Sequence, residues 1–183
     1  VRVPGGGDDS LERAESFLNS VVGNHSSAAM RRAFLEAGPA AIATLERESE
    51  LVLRPYATHP DYEQTHEGAT LRGRALEPLP FDGRTLGRHL ALIRPPLPEF
   101  VLFGGMMIDR TDIGHLLNMG RSRASTAHAM KILGRYGFDR LKGTKRGSRL
   151  VMGNALVGRL LKSLIDRSVD IVTGAHITAI TSD

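Results

Sequence analysis

The side chains best suited to chemistry gather in three stretches. The run His59-Pro60-Asp61-Tyr62-Glu63-Gln64-Thr65-His66-Glu67 carries two imidazoles, three carboxylates and a phenol. A metal needs converging ligands, and His59 and His66 stand seven apart in a proline-broken segment, without a helix to set them on one face as i, i+4 spacing does. No metal is expected. Tyr62 is the more useful residue, because a phenol can give or take a proton beside a carbonyl substrate if its surroundings lower its pKa; the alternative is a packed, hydrogen-bonded tyrosine. The second stretch, Arg146 to Ala155, combines cations with Gly147, Gly153 and Asn154 at a helix start. Close backbone approach, free N–H groups and the positive end of a helix are what an anion needs. The string is neither GxGxxG nor a Walker sequence, so an ordinary capped loop stays open beside the binding reading. The third, Asp112 to Leu133, mimics a helix-turn-helix: Met119-Gly120 at the turn, then Arg121, Arg123, His128 and Lys131. A nucleic-acid-binding module is thus the competing reading, although Thr126 sits where a branched apolar residue would normally lock the two helices.

Three segments must position these groups. Residues 8–50 read as helical. Asp9 is placed to cap a helix with Glu12 three residues on, Leu11, Ala14, Phe17, Leu18, Val21 and Val22 share a face, and Gly23 ends the run. A second helix is predicted from Ser26 or Ser27, with Met30, Ala33, Phe34 and Ala37 inward and Gly38 as its stop; a third begins at Pro39. Residues 51–108 hold seven of the nine prolines, yet they are rich in apolar and aromatic side chains, which predicts an ordered excursion that lines something. Residues 109–183 return to regular structure. Helices are expected over 112–117 and 125–136, and an amphipathic helix capped by Asn154 should lead into strands at Val169–Val172 and His176–Ile180. The class is therefore α+β.

Composition narrows the chemistry. The chain has 183 residues and no cysteine, which excludes disulfides, thiol nucleophiles and cysteine zinc sites. The net charge of +4 conceals a gradient: residues 1–70 hold 6 Lys+Arg against 11 Asp+Glu, and residues 121–183 hold 12 against 4. A basic end of that kind suits phosphate, in nucleic acid or in a cofactor. Apolar runs such as Leu160–Ile165 fall far short of the roughly 20 residues of a membrane span. The expectation is a soluble, cytoplasmic protein. Because the chain begins at Val1 and its last strand-like run meets Asp183 at once, it is expected to be part of a longer one.

Read together, the segments resemble the interior of the flavoproteins that include 3-ketosteroid Δ1-dehydrogenases and, more distantly, fumarate reductase flavoprotein subunits. The resemblance rests on Asp9-Ser10, Ala33-Phe34-Leu35, Gly38-Pro39, Pro60-Asp61-Tyr62, the strings Gly73–Pro78 and Pro80–Arg84, Leu86-Gly87, and Arg146–Val157, in that order. It implies a partial FAD-binding domain of a glutathione-reductase-like α/β fold, with 8–50 as its helical part, 51–108 as a substrate-side excursion and 109–183 as helices and returning strands. FAD is the implied cofactor, a steroid or other cyclic ketone the implied substrate, and the missing parts of its own chain the implied partners. The implied reaction dehydrogenates a CH–CH bond next to a ketone. Tyr62 occupies the position of a tyrosine that assists a second tyrosine in removing a proton. Gly153-Asn154-Ala155-Leu156 resembles the segment beside the flavin, and Ile177 the position whose backbone holds the adenine. GxGxxG does not occur in these residues, and His59 stands where an aromatic residue commonly precedes Pro-Asp-Tyr.

Overall fold

A computed structural model describes residues 9–56, 59–144 and 146–181. Val1 and Asp183 at the two ends, and Lys145 just before the Arg146 stretch, lie outside the described residues. Helix α1 (Leu11–Val22) starts one residue later than the capping pattern suggests: Ser10 is the cap, its Oγ accepting the Arg13 N–H at 3.1 Å, and Gly23 closes the helix at φ 58°. Asp9 accepts the Ser10 N–H and two bonds from Arg74 instead. Helix α2 is one element, Ala28–Glu48, capped by Ser27 and running straight through Gly38 and Pro39. Proline removes one interior hydrogen bond, but the Ala-, Leu-, Glu- and Arg-rich turns on both sides are strong helix formers and carry the helix across it. The buried face also differs from expectation. Met30 and Phe34 are exposed, whereas Arg31, Leu35, Gly38 and Ile42 are half-buried. That seam meets α1, where Arg31 donates to Asn19 and Arg32 pairs with Glu15, both at 2.6 Å.

The excursion is ordered. Strands β1 (Leu53–Pro55) and β2 (Leu76–Pro78) pair antiparallel, Leu53 opposite Pro78, and clasp the loop that bears Tyr62. This loop lies directly on α1. At Gly68, φ +79°, a Cβ would come within 2.3 Å of the Arg13 carbonyl, so only glycine fits the approach. Arg74 ties the loop's base, pairing with Asp9 and Asp61 at 2.8 Å each.

Two further antiparallel pairs hold the second half: β3 (Phe81–Asp82) with β6 (Arg149–Leu150), and β4 (Val101–Leu102) with β5 (Met106–Met107). Between β3 and β4, 3-10 turns cover Gly83–Leu92 and Pro98–Phe100. Helices α3 (Arg110–Leu117) and α4 (Arg123–Leu141) form a hairpin, and α5 (Met152–Asp166) covers the core of Leu86, Ile93, Met107, Leu150, Val151, Ala155 and Leu161. Gly158 lets α5 sit against β3, because a Cβ there would lie 2.8 Å from Phe81 Cδ1. The α+β class stands, with one correction: residues 169–181 form no strand. A strand needs a neighbour for its N–H and C=O groups, and no described segment pairs with this one.

Candidate functional site

The loop leading into α5 is built from anchored side chains. Asn154 does not cap the helix as expected. The cap position is Val151, which offers no side-chain acceptor, and Asn154 lies in the first turn with Nδ2 donating to the Arg94 carbonyl at 3.1 Å. Arg146 Nη1 donates to the adjacent Ile93 carbonyl at 2.8 Å, so both side chains grip one short stretch of backbone. The remaining Arg146 donors, Nε and Nη2, are buried with no partner among the described residues. Burial pushes the Arg146 pKa down, yet a guanidinium keeps its proton, so these N–H groups require an acceptor. Met152 sits at φ 51°, a backbone angle uncommon for any residue other than glycine. Gly153 has open space where a Cβ would stand. Unanswered donors, an uncapped helix start and an open glycine fit a group that presents several hydrogen-bond acceptor atoms, such as a flavin.

Other loop residues are committed to packing. The Gly147 N–H is spent on the Gly105 carbonyl at 3.0 Å, and its Cα faces Tyr136. Ala155 is fully buried in the core, Leu156 is half-buried, and Ile177 is exposed on the C-terminal run. The structure thus brings Arg146, Gly153, Asn154, Ala155 and Leu156 together, while Tyr62 and Ile177 make no hydrogen bond or ring contact with them.

Tyr62 stands 90% exposed. Its ring packs edge-on to His59, centroids 5.5 Å apart at 85°, and His59 in turn meets Tyr56 at 5.1 Å. His59 Nδ1 lies 2.9 Å from the Pro60 carbonyl, and His66 Nδ1 contacts Ser20 Oγ, so the two imidazoles are engaged separately. Among the described residues no three His, Asp or Glu side chains converge as metal ligands.

Sequence reasoning missed a buried ionic cluster. Asp112, fully buried, accepts from His128 Nε2 at 2.7 Å, Arg149 Nη1 at 2.7 Å and the Asp109 N–H at 2.9 Å. Burial alone raises its pKa, but those donors more than offset it and hold the carboxyl below its ordinary value. The legible signal was Asp109-x-x-Asp112, a reciprocal capping box at the start of α3. The α3–α4 hairpin expected of a helix-turn-helix is present, but His128 turns inward onto Asp112. His128, Lys131 and Arg135 line a cleft of about 350 Å³ against β3 and β6. Among the described residues no helix is long and apolar enough to cross a membrane.

Comparison with known proteins identifies the family and several relatives. The family described as FAD binding domain matches residues 2–183. A 4-oxocyclohex-2-ene-1-carboxylate 5-dehydrogenase of Sinomonas cyclohexanicum is 30% identical over 92% of this chain and 28% of its own length. A 3-oxosteroid 1-dehydrogenase of Mycolicibacterium smegmatis is 26% identical over 93% of this chain and 29% of its own. Among solved structures, the 3-ketosteroid Δ1-dehydrogenase of Sterolibacterium denitrificans in complex with 1,4-androstadiene-3,17-dione superposes with a TM-score of 0.74, at 27% identity, over 92% of this chain and 31% of that one. The chain therefore spans about three-tenths of the length of these relatives.

Proposed function

The chain belongs to the FAD binding domain family, and from that premise we propose that it forms part of a flavoenzyme that dehydrogenates a ring CH–CH bond next to a ketone, in a steroid or a smaller cyclic ketone. The observation that carries this reading is the naming of its relatives. In a 4-oxo ring dehydrogenated at carbon 5 and a 3-oxo ring dehydrogenated at carbon 1, the reacting carbon lies one or two bonds from the oxo carbon. A carbonyl at that distance acidifies the C–H on the carbon beside it, so one proton acceptor and one hydride acceptor suffice.

When bound, FAD supplies the hydride acceptor. This chain's own residues do the rest. Arg146 presents Nε–H and Nη2–H to acceptor atoms of the cofactor, Gly153 and Asn154 in the first turn of α5 offer it free backbone N–H groups, and Ala155 and Leu156 support that turn from behind, the Ala155 N–H being bonded to the Val151 carbonyl. Gly147 sets the loop's course by packing on Tyr136, and the backbone at Ile177 takes the adenine side. Tyr62 relays the proton removed beside the ketone; its exposure leaves the phenol open to a substrate. Within this partial FAD-binding domain, 8–50 is the helical part, 51–108 the substrate-side excursion and 109–183 the part that returns to regular structure.

The test is steady-state dehydrogenation of 3-oxosteroids and oxocyclohexene carboxylates by the full-length protein, wild type against Tyr62→Phe. Turnover of at least one ring ketone, slowed about tenfold or more in the variant, supports the reading, since acid–base groups typically contribute 10²–10⁴-fold. Equal turnover by both removes Tyr62 from the mechanism, and no turnover of any ring ketone removes the reaction.

A further inference from the structure

The dehydrogenation reading makes no use of the cleft between α4 and the β3–β6 pair. Its volume of about 350 Å³ falls in the range of roughly 300–1,000 Å³ that holds small molecules. His128, Lys131, Ile132 and Arg135 stand at i, i+3, i+4 and i+7 on α4, so a single face of the helix supplies one wall. Pro80 and Phe81, at the start of β3, supply apolar surface on the other, with Asp82 and Arg149 beside them.

Charge decides what the cleft can hold. Asp82 is its one lining carboxylate among the described residues, and it is already shared by Arg84 at 2.6 Å and Arg135 at 2.5 Å. Arg149 is committed to Asp112 and Asp109. His128 is fixed by Asp112 at 2.7 Å and by His115, whose ring stacks on it at 4.3 Å between centroids. Two cationic donors remain. Arg135 spends Nε and Nη2 on Ser148 and Asp82, which leaves Nη1 without a described acceptor, and the exposed Lys131 ammonium has none either. Lys131 and Arg135 are four positions apart, so their like charges face each other on adjoining turns, a repulsion that an anion placed between them relieves.

From this cavity and its two open donors we propose that the cleft binds a small carboxylate with an apolar ring, the carboxylate held by Lys131 Nζ and Arg135 Nη1 and the ring laid on Pro80, Phe81 and Ile132. A carboxylate suits the donors because its two oxygens can take one from each cation in charge-assisted hydrogen bonds. The apolar wall selects the rest of the molecule. Burying a hydrocarbon ring against it removes apolar surface from water, a gain that inorganic phosphate, polar on every side, does not have. The proposal needs no flavin and no ring ketone, so it stands apart from the dehydrogenation reading.

The experiment is calorimetric titration of the full-length protein with cyclohexanecarboxylate, and separately with cyclohexanecarboxamide and inorganic phosphate, in wild type, Lys131→Ala and Lys131→Glu. Because Lys131 bonds to no described residue, all three proteins should unfold at the same temperature. Wild type should bind the carboxylate at one saturable site and the uncharged amide about tenfold more weakly, the size of a lost charged hydrogen bond. Phosphate should bind less tightly than the carboxylate. Lys131→Ala should weaken carboxylate binding about threefold or more, as loss of an exposed charge contact does, and Lys131→Glu should weaken it further. Carboxylate binding unchanged in Lys131→Glu, equal binding of the amide or of phosphate, or no binding to wild type overturns the proposal. Ring-ketone turnover is measured separately, so failure here leaves the dehydrogenation reading untouched.

Discussion

Arg149 reaches from β6 to Asp112 of α3, with Nη1 2.7 Å from Oδ2, and this contact joins the α3–α4 hairpin to the strand that enters the α5 loop. Arg149 Nη2 also meets Asp109 at 3.3 Å, and His128 of α4 completes the cluster from the other side. The carboxylate is fully buried, and 17% of the arginine side chain is exposed. Breaking such a pair leaves an uncompensated charge, which costs far more than the pair contributes relative to an apolar replacement.

Asp112→Asn is therefore expected to destabilise the full-length protein by about 3–5 kcal/mol, read by urea denaturation at neutral pH. The same carboxylate sets an acid limit. Its native pKa lies below the ordinary 3.8, so its contribution is complete above that value and is lost as the pH falls through the lower native one. Wild type should lose stability on acidification below about pH 4, with a shallower slope in Asp112→Asn. Identical slopes would show that Asp112 is not the group responsible.

Gly68→Ala tests how the Tyr62 loop is held. The left-handed backbone and the 2.3 Å approach to the Arg13 carbonyl leave no room for a methyl group. A cost of about 1–3 kcal/mol is expected, concentrated in the loop, and faster amide exchange over 59–75 than over α5 would report it. Uniform exchange would mean that the loop is not docked through this glycine.

Arg146→Met separates a cofactor contact from a packing role. The variant keeps the bulk and drops two buried donors that have no partner among the described residues. Charged hydrogen bonds contribute about 1.5–3 kcal/mol, so FAD affinity should fall roughly ten- to a hundredfold, a loss read apart from the flavin-free protein's stability, which forfeits only the Nη1 bond to the Ile93 carbonyl. Unchanged affinity would place Arg146 away from the cofactor.

Much of this arrangement was legible in the sequence, and the gaps have physical causes. Local signals served well where partners are local: Gly23 stops α1, Ser27 caps α2, and the prolines mark the excursion. They failed where the neighbour decides. The inward face of α2 is the one α1 presses on, so the apolar Met30 and Phe34 lie outside it. Asn154 looked like a cap, but the Arg94 carbonyl took its amide and the cap position fell three residues earlier, at Val151. The runs at 169–180 have strand-like composition, but composition cannot supply the strand they would pair with. Within the site, the Arg146–Leu156 grouping was visible as one string. The Asp112 cluster was not, because Arg149 and His128 reach it across 37 and 16 positions.

The most direct measurement is anaerobic single-turnover reduction of the flavin in the purified full-length protein, mixed with a saturated 3-oxosteroid and, separately, with an oxocyclohexene carboxylate. One equivalent of ring ketone should bleach the visible flavin absorbance completely and release one equivalent of product with a new ring C=C bond conjugated to the carbonyl. A protein that carries stoichiometric FAD and is bleached by dithionite but by neither ketone would contradict the account.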